Sequence, residues 1–186
     1  MIFNKHSNLL GLHAFLSASK YHWINYDNVK LETVFLSNMA AQQGTELHAL
    51  ACELIRLKVK LPRTPKTLNL YVNDAIGFRM EPEQVLYYSE NCFGTVDAIS
   101  FRKNVLRVSD LKTGVTKTSE NQTKVYAAIF CLEYNVKPHQ IEIEMRMYQN
   151  DEVRVYIADP DEIVHIMDKI VQFDKRITTL RSEVDG

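Results

Sequence analysis

Between residues 41 and 61 the apolar positions Leu47, Leu50, Leu54, Leu57 and Leu61 recur at steps of three and four. This spacing predicts an amphipathic helix that Pro62 and Pro65 stop. Downstream the period shortens. Residues 85–92, 94–101 and 105–112 are rich in Val, Ile, Tyr and Phe and are separated by turn residues, so they predict three strands. Ser119 stands three positions before Gln122, the spacing of a capping box, and predicts a helix running toward Tyr134. Residues 141–148 and 152–157 predict a hairpin turned at Gln149-Asn150-Asp151, after which Pro160 opens a final amphipathic helix through Leu180. The order helix, three strands, helix, strand, with an additional hairpin strand and a C-terminal helix, predicts an α/β fold on an α+β mixed sheet. No repeat or low-complexity linker interrupts it. Residues 1–186 are therefore expected to form a single domain, with an N-terminal arm over 1–40, a core over 41–148 and a C-terminal strand and helix over 149–186.

Composition narrows the class. A chain of 186 residues that is 46% hydrophobic can bury one sizeable core and is expected to fold alone. No apolar run reaches the roughly 20 residues that cross a bilayer. The opening MIFNKHSNLLGLHAF places Asn and His where a secretory signal needs an unbroken apolar stretch, so a soluble, cytoplasmic protein without a membrane partner is expected. Cys52, Cys92 and Cys131 are odd in number and widely spaced, with no CxxC pair, and are expected to be buried thiols. A net charge of -1 is low for a protein that holds a polyanion and counts against nucleic acid until the charges are located. Arg56, Lys58, Lys60, Arg63 and Lys66 form a run with no acid between them, and Arg102, Lys103 and Arg107 form a second basic group.

Candidate chemistry concentrates in GTVDAISFRKNVLRVSDLKTG, residues 94–114. Side chains alternate along a strand, so Asp110 and Lys112 project from one side while Leu111 points to the other. The polar connection Arg102-Lys103-Asn104 is short enough to fold 94–101 and 105–112 into an antiparallel hairpin that brings Asp97 beside Asp110. Two clustered carboxylates make a hard oxygen site suited to Mg²⁺ or Mn²⁺. A neighbouring Lys orients an attacking water and offsets charge on phosphate. The combination predicts metal-dependent phosphodiester hydrolysis.

Asp97, Asp110 and Lys112 in this order resemble the site of the PD-(D/E)XK nuclease superfamily, and further motifs resemble its RecB-like exonuclease branch over most of the chain. Gly44-Thr45-Glu46-Leu47-His48 resembles the GTxxH motif of the first core helix. Gln122-Thr123-Lys124-Val125-Tyr126 resembles the QxxxY motif of the helix after the third strand, and Leu16-Ser17-Ala18-Ser19 followed by Trp23 resembles the N-terminal segment of many phage-encoded members. The resemblance implies a restriction-endonuclease-like αβββαβ core. It also implies a Mg²⁺- or Mn²⁺-dependent DNA exonuclease that resects ends in recombination or repair, inside a bacterial or phage-infected cell. Metal ligation would fall to His48, Asp97 and Asp110, with the Leu111 carbonyl as a further ligand. Catalysis would fall to Asp97, Asp110 and Lys112, with Gln122 and Tyr126 at the rim of the site. The implied partners are double-stranded DNA with a free end, a single-strand annealing protein and further copies of the chain in a ring. Some relatives hold a 4Fe–4S cluster on four cysteines, a pattern that three scattered ones do not satisfy, so no iron-sulfur cluster is expected. Two other tasks fit the same motifs: a structure- or sequence-specific endonuclease, and a DNA-binding subunit without catalysis.

The single residues also have plainer roles. A lone His beside an apolar helical stripe is usually structural, so ligation by His48 depends on its GTELH context. Glu46 lies about 200° round the helix from His48 and cannot point at the same site. Gln122 and Tyr126 at i,i+4 also suit an ordinary pair on a helix face. Glu90, on the first predicted strand, serves equally as an exposed residue. Ser17 and Ser19 are candidates for the DNA entrance, and Trp23 is equally suited to anchoring the arm. DNA contact is expected from Arg56, Lys58, Lys60 and Arg63, although such runs are ordinarily solvated surface.

Overall fold

The computed structural model describes residues 5, 7–9, 11–114 and 119–184, so part of the N-terminal stretch read for a signal lies outside the described residues. The chain divides into two compact units, Met1–Gln43 and Gly44–Gly186. The first contains short 3₁₀ segments at Ser7–Leu9 and Ala18–Asn25 and the opening of helix α1, which spans Asn28–Arg56. Asp27 starts that helix by accepting the Lys30 N–H on Oδ1 at 2.7 Å.

The second unit is built on a mixed sheet of five strands: β1 (Glu81–Ser89), β2 (Cys92–Arg102), β3 (Val105–Leu111), β4 (Glu142–Gln149) and β5 (Glu152–Ile157), adjacent in that order. Every neighbouring pair is antiparallel except β3 and β4, which are parallel. A parallel pair needs a crossover, and helix α3 (Asn121–Glu133) lies within it. Two of the three hairpins turn on two residues of positive φ: Lys103 (51°) and Asn104 (59°) between β2 and β3, Asn150 (53°) and Asp151 (59°) between β4 and β5. This is the type I′ geometry, whose twist matches that of paired strands.

Helices cover both faces of the sheet. Ala51 and Ile55 of α1, with Tyr71, Val72 and Ala75 of α2 (Thr67–Gly77), pack on Ala98, Leu111 and Tyr148. Ala127, Ala128 and Cys131 of α3 and Ile163 of α4 (Pro160–Val184) pack with Leu86, Ile99, Leu106, Val108, Ile143 and Met145. Leu106 and Val108 thus belong to one layer and Leu111 to the other, as the two-residue period of a strand buried on both sides requires. Among the described residues no helix is long and apolar enough to cross a membrane.

Several boundaries differ from the sequence expectation. Helix α1 begins at Asn28 rather than at 41, and it ends at Arg56, before Leu61 and the prolines. The stop is a backbone cap: Lys58 adopts φ 56°, its N–H reaches the Ile55 carbonyl at 3.1 Å, and the Val59 N–H reaches the Leu54 carbonyl at 2.9 Å. Helix α2 was not anticipated at all. Its Asn69 and Asn73 are weak helix formers, but their side chains bond the preceding loop at Pro62, Thr64 and Leu61. Strand β1 starts at Glu81, through Pro82, and ends at Ser89, which leaves Glu90 in the turn to β2 rather than on a strand. Ser119 accepts the Asn121 N–H at 3.1 Å, a local turn bond in place of the expected capping box.

Candidate metal and catalytic site

Strand register decides which acids meet. Ala98 pairs with Ser109, so one further step along the β2–β3 ladder sets Asp97 opposite Asp110. Pro82 pairs with Ala98 and Gln84 with Val96, which sets Glu83 opposite Asp97 on its other side. Glu83, Asp97 and Asp110 therefore form one row across β1, β2 and β3, at the roughly 4.8 Å spacing of adjacent strands. Helix α1 brings His48 to this row, with Nδ1 at 3.5 Å from Asp97 Oδ1. One ligand atom from each of His48, Glu83 and Asp97 lies within a mutual 4.8 Å.

The carboxylates are held in different ways. Asp97 accepts the Leu111 N–H on Oδ2 at 2.7 Å, which fixes its plane and leaves Oδ1 toward His48. Asp110 is only 3% exposed. Its Oδ1 is 2.9 Å from Lys112 Nζ, whereas its buried Oδ2 has no hydrogen-bond partner among the described residues. An orphaned buried polar atom costs about 1–3 kcal/mol, more when it carries charge, and a cation is the natural partner for a carboxylate oxygen.

Strand β3 stops at Leu111, one residue earlier than expected, but the Lys112 N–H continues the ladder to the Tyr148 carbonyl at 2.9 Å. Beyond its contact with Asp110, Lys112 Nζ donates to Gln122 Oε1 at 2.8 Å. Gln122 Nε2 donates to the Tyr126 hydroxyl at 3.3 Å, and that hydroxyl donates to the Thr95 carbonyl at 2.6 Å. The amino group is thus tied through α3 back to β2. Two glycines permit the close approaches. A Cβ on Gly94 would meet the Tyr126 ring at 3.1 Å, and one on Gly44 would meet Thr113 Oγ1 at 2.8 Å, where α1 passes the segment after β3.

Electrostatics carries the mark of crowded negative charge. The hydrogen bond to Asp97 raises the His48 pKa against the opposing effect of burial, with Asp97 and Glu83 charges and the Leu111 carbonyl adding to the rise. Burial raises Asp110, opposed by its bond to Lys112 and reinforced by Asp97. Burial also raises Glu83, again reinforced by Asp97. Lys112 alone does not balance three acids. A divalent cation fits this donor set, because hard carboxylate oxygens with one imidazole suit Mn²⁺ and a mixed Mg²⁺ site.

Comparison with family models, curated proteins and solved structures finds no match. The residues singled out from the sequence separate into two groups. His48, Asp97, Asp110, Leu111, Lys112, Gln122 and Tyr126 come together through the contacts above. Ser17, Ser19 and Trp23 belong to the Met1–Gln43 unit, where the two hydroxyls lie 3.1 Å apart and the indole N–H donates to the Ser17 carbonyl at 2.9 Å, so Trp23 pins its own segment. Arg56 ends α1, and Lys58, Lys60 and Arg63 follow it on the exposed surface. Cys52 and Cys131 are buried and Cys92 is half-buried; burial pushes the Cys131 thiol up to about 11, which leaves it chemically inert.

Glu83 is the site residue that sequence reading missed. Extending the alternation of the first strand backward from Val85 reaches it, but Pro82 obscures that strand, and Glu83 itself adopts φ 51°. A non-glycine side chain in the left-handed region is strained and clusters at functional sites.

Proposed function

We propose that this chain is a divalent-metal-dependent deoxyribonuclease of the PD-(D/E)XK type that acts from DNA ends. The observation that carries the proposal is the row Glu83–Asp97–Asp110, in which one Asp110 oxygen is orphaned and the other is bound to Lys112. The succession of α1, three antiparallel strands, α3 and a parallel β4 supports an αβββαβ core, with α2, β5 and α4 as additions. The order of the GTxxH-like and QxxxY-like segments supports the exonuclease branch.

When bound, a divalent metal supplies a Lewis acid that polarises phosphate and acidifies a water. Asp97 and Asp110 would hold it, with His48 and Glu83 as the remaining side-chain donors. The Leu111 N–H fixes Asp97 before any substrate arrives, and burial fixes Asp110, so little reorganisation is needed during reaction. Lys112 has three N–H donors; Asp110 and Gln122 engage two of them. The third is left for the attacking water or a phosphate oxygen, where negative charge grows in the transition state. Gln122 and Tyr126 act as positioning residues that hold the amino group in place.

The test is incubation with Mg²⁺ or Mn²⁺ of end-labelled linear duplex and of the same DNA as a covalently closed circle, with Lys112→Ala as control. Loss of linear DNA alone is expected, and the released label reports polarity. Cutting of both forms would make the enzyme an endonuclease, and cutting of neither would leave a DNA-binding module.

A further inference from the structure

Eight described non-glycine residues adopt a positive φ: Lys58, Arg79, Glu83, Lys103, Asn104, Asn135, Asn150 and Asp151. Asn and Asp tolerate this conformation and account for four of them. Glu83 belongs to the acid row. The remaining three are all cations.

Matched positions elsewhere in the fold make the choice of residue informative. Helices α1, α2 and α3 end in the same backbone cap, in which the N–H of Val59, Met80 and Val136 reaches back to Leu54, Ala75 and Cys131. The left-handed residue is Lys58 in α1 and Arg79 in α2 but Asn135 in α3. The type I′ turn between β4 and β5 uses Asn150 and Asp151, whereas the one between β2 and β3 opens with Lys103. A helix dipole favours a cation at a C-terminus, yet it gives no reason for a lysine in a hairpin.

These cations share one surface. A cleft of about 540 Å³ is lined by Arg56, Lys58 and Arg79 beside Glu81 and Pro82. Arg79 also lines a second cleft of about 300 Å³ with Arg102, Lys103 and Arg107, and no acid lines that one. Arg56, Lys58, Arg79, Arg102 and Lys103 are exposed and form no ion pair among the described residues, whereas Arg107 is held by Glu144 at 3.1 Å. At its near end the track reaches Glu81 and Pro82, the residues that directly precede Glu83 on β1. A continuous run of unpaired cations on a chain of net charge -1 is complementary to a polyanion rather than to the average protein surface.

We propose that Arg56, Lys58, Arg79, Arg102 and Lys103 form a phosphate track that carries the DNA backbone to or from the acid row, with Arg79 joining two basic groups that are distant in sequence. The proposal rests on the nuclease reading of that row. Phosphate contacts of this kind position DNA without reading its sequence.

The experiment replaces Lys58, Arg79 and Lys103 together by Asn, which removes three charges while suiting the left-handed backbone. A control replaces the exposed Lys137, Lys169 and Lys175 by Asn. Binding of a duplex oligonucleotide is measured by fluorescence anisotropy against salt, in the Lys112→Ala background with Mn²⁺ so that no DNA is cut. The track variant is expected to lose on the order of 10–100-fold in affinity, and its salt slope is expected to fall by about 2.7, at about 0.9 per lost phosphate contact. The control is expected to change little. An unmoved slope, an equal loss in the control, or no duplex binding by the protein with an intact track would each overturn the proposal. Cleavage by the otherwise wild-type protein is scored separately. Binding with the expected slope but no cleavage would remove the nuclease reading and keep the track, and cleavage with an unmoved slope would do the reverse.

Discussion

Two groups of charged side chains are set into this sheet, and they differ in whether their charges close. Around Arg146 they do. Arg146 bonds Glu144, Asp74 and the Tyr148 hydroxyl at 2.9 Å each, Tyr148 donates to Asp74 at 2.9 Å, and Arg107 shares Glu144 at 3.1 Å. Two carboxylates face two guanidinium groups, which also lie 4.6 and 4.8 Å from the Phe78 ring centre. Along the row Glu83, Asp97 and Asp110 they do not close, because among the described residues Lys112 is the one permanent cation bonded there and Asp110 Oδ2 has no partner. A balanced group of half-buried charges meets its own bonding needs. An unbalanced one is held at a cost to stability and is the candidate place for an external cation.

The comparison breaks most sharply under mutation of the two lysine and arginine hubs. Lys112→Ala is expected to lower the cleavage rate by on the order of 10³-fold, the scale of losing a preorganised transition-state donor, with little change in the melting temperature of the Mn²⁺-loaded protein, where the ion would remain as the partner of Asp110. A melting temperature lowered in step with activity would assign Lys112 to the fold instead. Next in size is the metal itself. At about 100 times its dissociation constant Mn²⁺ should stabilise the wild type by about 2.7 kcal/mol, and chelation should reverse the shift in thermal melting. The Asp97→Asn, Asp110→Asn double variant should show no such shift.

Arg146→Met is expected to behave in the opposite way to Lys112→Ala. It should cost about 2 kcal/mol in urea unfolding, a value reduced from that of fully buried pairs because Asp74 is 34% exposed, and leave the folded fraction active. Equal stability with lost activity would move this group into the site. The smallest expected effect has the opposite sign. Burial and Asp97 raise the Glu83 carboxyl, so its ionised form opposes folding near neutral pH. Glu83→Gln should therefore stabilise the metal-free protein by about 0.5 kcal/mol while reducing the gain from Mn²⁺. Destabilisation of the metal-free form would show that the charge of Glu83 is satisfied without an ion.

Much of this contrast is legible in the sequence, and the parts that are not have physical causes. The two-residue period placed Asp110 and Lys112 on one side, and the polar Arg102-Lys103-Asn104 turn predicted the hairpin that sets Asp97 opposite Asp110. Helical spacing also linked Gln122 to Tyr126, whose contact is 3.3 Å. Glu83 was hidden because proline and a left-handed residue interrupt the alternation on which strand reading depends. Helix α2 was hidden because its asparagines act through bonds to the preceding loop rather than through local propensity. The Arg146 group was invisible for a related reason: Asp74, Arg107, Glu144 and Arg146 meet only after β3 and β4 have paired in parallel.

The most direct test of the central claim is a calorimetric Mn²⁺ titration of the wild type, Lys112→Ala and the Asp97→Asn, Asp110→Asn double variant, with DNA cleavage followed on the same samples. The acid row predicts that the wild type binds Mn²⁺ and cleaves, that Lys112→Ala binds Mn²⁺ and does not cleave, and that the double variant does neither. Undiminished Mn²⁺ binding by a folded double variant, or wild-type cleavage by Lys112→Ala, would contradict it.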